Sequence, residues 1–229
     1  MIVMTGASGG LGSYLVRSLS CDYPIIAIDH GNLPESVTGD AEYYKVDITD
    51  SESIKAFMSK VEGKLEHIQL LNMAGVSLDG TAHRLSEQSW RSSIDTNLTG
   101  SFLMARALLP LMRQQSYGRI INFSSVVGKL GVPGAVAYAA SKTGLDGLTR
   151  VLAIENAGKN ILVNNLSLGY FNAGMMHTLP ADMQSSIRSK IPLGKLGDPK
   201  DVALAVRFLL ECDYITGTTL HLNGGLYGL

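Results

Sequence analysis

The feature that most constrains this chain is an alternation, in which short apolar runs rich in Ile and Val recur between longer segments of helical period. Runs that are apolar nearly throughout, rather than at every second residue, describe strands covered on both faces, which is how parallel sheets are buried. Seven are read as strands: Ile2 to Met4, Pro24 to Ile28, Glu42 to Val46, Ile68 to Asn72, Arg119 to Phe123, Ile161 to Leu166 and Thr218 to Leu222. Helices are expected at Leu11 to Ser20, Ser51 to Lys60, Trp90 to Gln115, Ala137 to Ala157 and Pro199 to Leu210. Pro110 is expected to kink the third of these, and Pro199 opens the last at a position where a missing N–H is no loss. Repeated β-α-β units predict a doubly wound α/β sheet of seven parallel strands, one domain over residues 1–229, with ligands beyond the carboxyl ends of the strands.

With 45% hydrophobic residues in 229, the chain can bury one sizeable core, and no Pro/Ser-rich or charged linker divides it. Nineteen basic and 20 acidic residues leave a formal charge of -1, so neither nucleic acid nor an anionic membrane surface is an expected partner. Cys21 and Cys212 stand far apart, without disulfide or metal spacing; no metal is expected, and the reading is a reducing, cytoplasmic setting. The apolar strand that starts at Met1 leaves no room for a signal peptide, and no run approaches the roughly 18 apolar residues of a membrane span. The 25 glycines gather at turns, as at a loop-rich binding edge.

The first strand ends in Thr5-Gly6-Ala7-Ser8-Gly9-Gly10-Leu11-Gly12, a glycine turn leading into a helix. Such a turn lets main chain approach a pyrophosphate closely, with helix-start amides facing the phosphates. Gly6, Ser8, Gly10, Leu11 and Gly12 are therefore candidate cofactor contacts. Asp29, at the end of the second strand, can accept hydrogen bonds from a ribose 2'-hydroxyl and would repel a 2'-phosphate; neither Lys nor Arg occupies the turn or directly follows Asp29. NAD(H) is thus preferred to NADP(H), unless Asp29 only caps a turn.

Tyr138 and Lys142 stand four apart on an expected helix, so both heads project from one face. A neighbouring ammonium favours the phenolate and should lower the phenol toward working pH. Ser125, thirteen residues earlier at the end of the fifth strand and followed by a loop, Val126 to Ala135, that leads into the tyrosine helix, brings a hydroxyl near that phenol, able to hold a substrate oxygen while Tyr138 delivers a proton. Its neighbour Ser124 is read as the turn-forming serine.

The spacing TGxxxGxG, with the Ser, Tyr and Lys just described, resembles the short-chain dehydrogenase/reductase family. That resemblance implies a Rossmann-type sheet in the order 3-2-1-4-5-6-7. Asp47-Ile48 match its adenine-contacting pair, although Asp47 could instead cap the helix at Ser51, and Asn72-Met73-Ala74-Gly75 resembles its NNAG segment with Met73 replacing the second Asn. Asn97 matches the position that holds a water linking the lysine to solvent, and completes Asn97, Ser125, Tyr138 and Lys142 in family order. By this resemblance Lys142 binds the nicotinamide ribose, Ser125 orients the carbonyl, Tyr138 transfers the proton and the nicotinamide gives the hydride. Gly169-Tyr170-Phe171-Asn172-Ala173 resembles the PGxxxT nicotinamide loop, with Leu168 for Pro and Ala173 for Thr, so Gly169 and Phe171 are expected to contribute backbone contacts.

Met175, Met176, His177, Leu179 and Met183 fall in a stretch read as irregular, where the family places a lid over substrate; His177 is read as a surface residue of that lid. Ile191 through Pro199, Thr216-Gly217 and Asn223-Gly224-Gly225 are most similar to 3-oxoacyl-(acyl-carrier-protein) reductases of fatty acid biosynthesis. That implies a small or carrier-bound acyl substrate, with Lys159 as one basic docking residue and Ser116 where a second would stand. It also implies a homotetramer or homodimer through the helices Trp90 to Gln115 and Ala137 to Ala157. The first expectation is NADH-dependent reduction of a 3-oxoacyl thioester. An NAD-dependent alcohol, sugar or hydroxyacid dehydrogenase is the second, and a catalytically idle NAD-sensing or scaffold protein the third.

Overall fold

A computed structural model describes residues 1–31 and 41–228, the side chains of Met175 and Thr178 excepted. The strands are β1 (Ile2–Thr5), β2 (Ile25–Asp29), β3 (Ala41–Lys45), β4 (Gln69–Asn72), β5 (Gly118–Ser125), β6 (Ile161–Leu168) and β7 (Thr219–Leu222). They form one parallel sheet in the order β3-β2-β1-β4-β5-β6-β7, the expected Rossmann-like arrangement. The order reverses between β1 and β4, which leaves a crevice at the carboxyl edge.

The helices are α1 (Gly10–Leu19), α2 (Ser51–Val61), α3 (Glu87–Ile94), α4 (Gly100–Gln115), α5 (Val127–Leu130), α6 (Val136–Asn156), α7 (Ala181–Lys190) and α8 (Pro199–Glu211). Alternate strand residues supply two cores. Ile2, Met4, Ile121 and Leu166 meet Leu15 of α1 and Val206 of α8 on one face. Val3, Leu70, Ile120 and Val163 meet Phe57 of α2, Leu108 of α4 and Leu152 of α6 on the other.

This second face changes character as the strands approach their carboxyl ends. Asn72, Asn122 and Asn165 lie side by side in register, and Ser124 pairs with Ser167 one step further on. All five are buried. The asparagines are joined in sequence: Asn72 Nδ2 donates to Asn122 Oδ1 at 2.9 Å, Asn122 Nδ2 to Thr149 Oγ1 at 2.8 Å, and Thr149 Oγ1 to Asn165 Oδ1 at 2.7 Å. A polar layer of this kind fixes α6 against the sheet, because each buried amide left unpaired would cost about 1–3 kcal/mol.

Three expectations are corrected. The helix read as Trp90 to Gln115 is two helices, α3 and α4, joined by a π-helical turn over Asp95–Thr99. The break lies there and not at Pro110, which α4 runs past; Pro110 and Arg106 sit on its exposed side, so the carbonyl that proline leaves without a donor can turn to water. The loop Val126 to Ala135 contains the short α5. The stretch read as irregular is ordered as a 3-10 turn, Gly174–Thr178, and α7. Helix α7 carries few apolar residues and buries none fully, so its period is faint in the sequence.

Candidate active site

The glycine turn is a backbone cradle. Gly6 adopts φ +70, and a Cβ there would lie 2.8 Å from the Cα of Ala74; at Gly10 a Cβ would lie 2.6 Å from the amide nitrogen of Gly174. Three chain segments therefore meet in a space that side chains would fill. Thr5 ties two of them together, its Oγ1 accepting from the amides of Met73 and Ala74 at 3.1 Å each. No side chain caps the first turn of α1, and the Ser8 hydroxyl is buried without a partner among the described residues. Uncapped helix-start amides and an orphan hydroxyl around a main-chain hollow fit a pyrophosphate. Leu11 sits over the core, and the Met73 methyl rests on Gly12, where a Cβ would come within 2.8 Å of it. Met73 thus supplies packing where the family pattern has a polar amide.

Asp29 stands beside the turn, its carboxylate accepting from the Ser8 amide at 3.0 Å and the Gly31 amide at 2.9 Å. Capping and ribose recognition are compatible, since each carboxylate oxygen has a second lone pair. Lys45, passed over in the sequence, is in register with Asp29 on β3. Asp47 does not cap α2; Asp50 does, accepting from the amides of Glu52 and Ser53. Asp47 holds Thr49 at 2.7 Å and faces His30 at 3.6 Å, while Ile48 is buried against Gly100. Asn72 turns its amide into the polar layer and onto the Ser101 carbonyl, so of this segment Ala74 and Gly75 present main chain to the crevice, and Asn72 offers no free side-chain donor. Among the described residues no three His, Cys, Asp or Glu side chains gather as a metal site.

The structure brings Asn97, Ser125, Tyr138 and Lys142 together at the carboxyl ends of β4 and β5. A Cβ on Gly75 would lie 3.2 Å from Asn97 Oδ1 and 3.3 Å from Lys142 Nζ, so the lysine, the asparagine and the end of β4 converge on one glycine. Asn97 sits in the π-helical turn and is fully buried. Its Oδ1 accepts from the Val76 amide at 2.8 Å, and its Nδ2 donates to the Val76 carbonyl at 2.9 Å and to Ser141 Oγ at 3.0 Å. The side chain is thus engaged in clamping the segment after β4 to α6, a positioning task. Single-turn π bulges recur at functional sites because the extra residue redirects a side chain that helical period would aim elsewhere.

Lys142 is 4% exposed and lies 5.7 Å from the centroid of the Tyr138 ring. Its Nζ donates to the Phe123 carbonyl at 2.7 Å, and burial pushes its pKa down to about 8. The expectation that this ammonium lowers the Tyr138 phenol is not met in this arrangement. Burial raises the phenol above its ordinary value; the opposing pull comes from a hydrogen bond with Ser125, while Asp79 and Tyr170 add to the rise. Ser125 Oγ accepts from the Val127 amide at 3.2 Å, and Ser124 bonds the Lys142 carbonyl at 2.9 Å, which makes Ser124 the structural member of the pair.

After β6, Gly169 abuts Asn223, where a Cβ would meet backbone at 2.7 Å. The Phe171 ring is buried, with its edge on Gly197, so only its main chain is available to a ligand. His177 bonds Asn172 Oδ1 at 2.9 Å, Met176 is buried and Met183 is exposed on α7; the Met175 side chain lies outside the described residues. Asp79, Tyr170 and Ser141 were not legible as site residues. Asp79 lies in a segment that carries no motif, and Tyr170 and Ser141 occupy the unspecified positions of the nicotinamide-loop and Tyr-x-x-x-Lys segments.

A family profile described as Enoyl-(Acyl carrier protein) reductase matches residues 30–227. The chain is 36% identical to the 3-oxoacyl-(acyl-carrier-protein) reductase FabG of Haemophilus influenzae, over 98% of this chain and 97% of the relative. It is also 36% identical to Nodulation protein G of Rhizobium sp. and 33% identical to the FabG reductase of Escherichia coli, over 98% of this chain in both cases and 95% and 96% of those relatives. Joined to the sheet order and the gathered Ser, Tyr and Lys, these similarities place the chain in the short-chain dehydrogenase/reductase family, oxidoreductases that act on hydroxyl or carbonyl groups.

Proposed function

We infer that the protein reduces the 3-oxo group of an acyl thioester with NADH. The observation that carries this reading is the convergence of Ser125 and Tyr138 hydroxyls beside buried Lys142 at the crevice of the sheet. Two hydroxyls directed at one oxygen suit a C=O bond, and relatives covering nearly the whole chain are named as 3-oxoacyl reductases.

The glycine turn, Asp29, Asp47, Ile48 and the main chain of Ala74, Gly75, Gly169 and Phe171 would hold the dinucleotide. When bound, a nicotinamide supplies the hydride. Tyr138 gives its phenolic proton to the carbonyl oxygen as the hydride arrives, and takes it back in the reverse direction. Ser125 holds that oxygen in place. Lys142 uses one of its three donors on Phe123 and keeps the others for a ribose hydroxyl. Asn97 keeps Val76 and Ser141 fixed around that lysine. A cleft that includes Tyr170 has an apolar wall of Ile191, Leu193, Leu196 and Leu222, which suits an acyl chain, and is lined also by Lys195, Asp201 and Asn223. A homotetramer and a cytoplasmic setting accompany this reading by family similarity; no helix among the described residues is long and apolar enough to cross a membrane.

The NADH preference rests on Asp29, with no Lys or Arg between His30 and Asp40. Lys45 is the cation that could oppose it. Steady-state reduction of acetoacetyl-CoA with NADH and with NADPH tests both parts. Higher kcat/KM with NADH, and at least about a tenfold loss of that preference in Asp29→Ala, is expected, since an extra phosphate against a carboxylate costs about 1.4 kcal/mol or more. An NADPH preference that falls in Lys45→Ala would reverse the cofactor assignment. Turnover of simple alcohols or hydroxyacids with none of thioesters would move the substrate to the dehydrogenase alternative. The assembled Ser, Tyr and Lys count against a catalytically idle role.

A further inference from the structure

We propose that Lys129 and Asp146 form a latch that positions Ser125 against Tyr138. The inference rests on the reading of Ser125 and Tyr138 given above and concerns what holds them in register.

Ser125 closes β5, and its hydroxyl accepts from the Val127 amide at the start of α5. Helix α5 is four residues long, too short to persist by its own hydrogen bonds. It is held on α6 by two bonds of its own, with a third from the end of β5 just before it. Ser124 Oγ donates to the Lys142 carbonyl at 2.9 Å, Thr143 Oγ1 to the Gly128 carbonyl at 3.0 Å, and Lys129 Nζ to Asp146 Oδ2 at 2.5 Å. A Cβ on Gly128 would lie 2.8 Å from Thr143 Oγ1, so the two helices are in closest approach there. The lysine is the last rung of this ladder, and a part-buried one, whereas the Thr143 rung is exposed.

Asp146 is anchored from the other side. Its side chain is 7% exposed, against 26% for Lys129. Its Oδ1 accepts from Asn165 Nδ2 at 2.6 Å and from Thr219 Oγ1 at 3.3 Å, which joins it to the polar layer running back through Thr149 and Asn122 to Asn72. A buried carboxylate requires a cation, and α5 delivers it. Such pairs are poor sources of net stability, because desolvation offsets the attraction; the role proposed for this one is to select a single geometry. This pair touches neither the glycine turn nor the proton on Tyr138. What it determines is where α5 sits on α6, and with it the distance from the Ser125 hydroxyl to the phenol.

The test compares wild type, Ser125→Ala, Lys129→Met, Lys129→Arg, the neutral pair Lys129→Met with Asp146→Asn, and Ser125→Ala with Lys129→Met. Each is assayed for kcat with acetoacetyl-CoA and NADH, for NADH affinity by titration, and for the pH profile of kcat. Asp79 and Tyr170, which raise the Tyr138 phenol, and Lys142, which lies 5.7 Å from the centroid of its ring, are left intact in all of them. In Lys129→Met and in the neutral pair, kcat is expected to fall roughly tenfold, the cost of a misplaced catalytic group, with NADH affinity unchanged within about twofold. The alkaline limb should move upward, in the direction produced by Ser125→Ala, because the serine hydrogen bond no longer lowers the phenol. Lys129→Arg should restore kcat. Adding Lys129→Met to Ser125→Ala should change nothing further, since the latch acts through the serine. Loss of thermal stability with kcat and pH profile intact, or effects additive with Ser125→Ala, would overturn the latch. An unchanged kcat in Ser125→Ala would instead overturn the reading of the site itself. The neutral pair keeps the test open should Lys129→Met leave an unpaired charge too costly to fold around.

Discussion

Around β1 and α1 the carboxyl edge of the sheet is made of main chain, with Gly6, Gly10 and Gly12 bringing backbone from three segments into contact over an apolar core. Around β5 and α6 it is made of side chains, with Ser125, Tyr138 and Lys142 standing over a buried layer of asparagines, threonines and serines. The two halves meet the same ligand with different demands. Holding a pyrophosphate needs many amides and no bulk, whereas moving a proton needs a few groups at set distances. The first half should therefore fail when atoms are added and the second when they are removed.

The largest effect expected in this contrast is on the catalytic side. Ser125→Ala should lower kcat for acetoacetyl-CoA reduction by about a hundredfold, the lower end of what a positioned acid-base partner contributes, while NADH titration stays near wild type. Reduction requires a protonated phenol, so activity is lost as pH rises through the Tyr138 pKa. Since the serine lowers that pKa, its removal should carry the alkaline limb to higher pH.

Gly6→Ala tests the other half with the opposite operation. The added methyl would lie 2.8 Å from backbone of Ala74, at a φ of +70 that costs a side chain about 1–3 kcal/mol. NADH should bind at least about tenfold more weakly and thermal unfolding should come earlier, with the pH profile of the remaining turnover unchanged. A shifted profile would mean that the two halves are not separable.

The smallest effect concerns Asp79, whose charge helps to raise the Tyr138 phenol. Asp79→Asn should move the alkaline limb of reductive kcat downward, opposite in sign to Ser125→Ala, by a fraction of a pH unit, as befits an exposed charge screened by solvent. Steady-state rates carried from pH 6 to beyond the ordinary phenol value of about 10 are the measurement that checks it.

The same contrast explains what the sequence disclosed. The glycine turn, the end of β2 at Asp29 and the order Asn97, Ser125, Tyr138, Lys142 are legible because each depends on residue type at fixed spacing. The alternation of apolar runs likewise yields all seven strands, and the covered faces of the inner ones; β3 at one edge exposes Glu42 and Lys45, and β7 at the other is only half-buried. What spacing cannot show is direction. Helical period runs unbroken through Asp95 to Thr99, so the π-helical turn that aims Asn97 at Val76 is invisible in it. Lys142 has the expected place on α6, yet its Nζ reaches the Phe123 carbonyl, a partner that exists only once β5 lies beneath the helix. Asn72, Asn122 and Asn165 come from three separate strands and become a layer only in register. Asp29 and Lys45 are neighbours for the same reason. Helix α7 is hidden by composition, as its exposed surface gives period little to act on.

The central claim is that the Tyr138 hydroxyl moves the proton. Tyr138→Phe removes that oxygen alone and leaves the ring where it packs. Its turnover of acetoacetyl-CoA with NADH should fall by at least about a hundredfold while NADH binds within a few-fold of wild type. Turnover near the wild-type rate with NADH still bound would contradict the account.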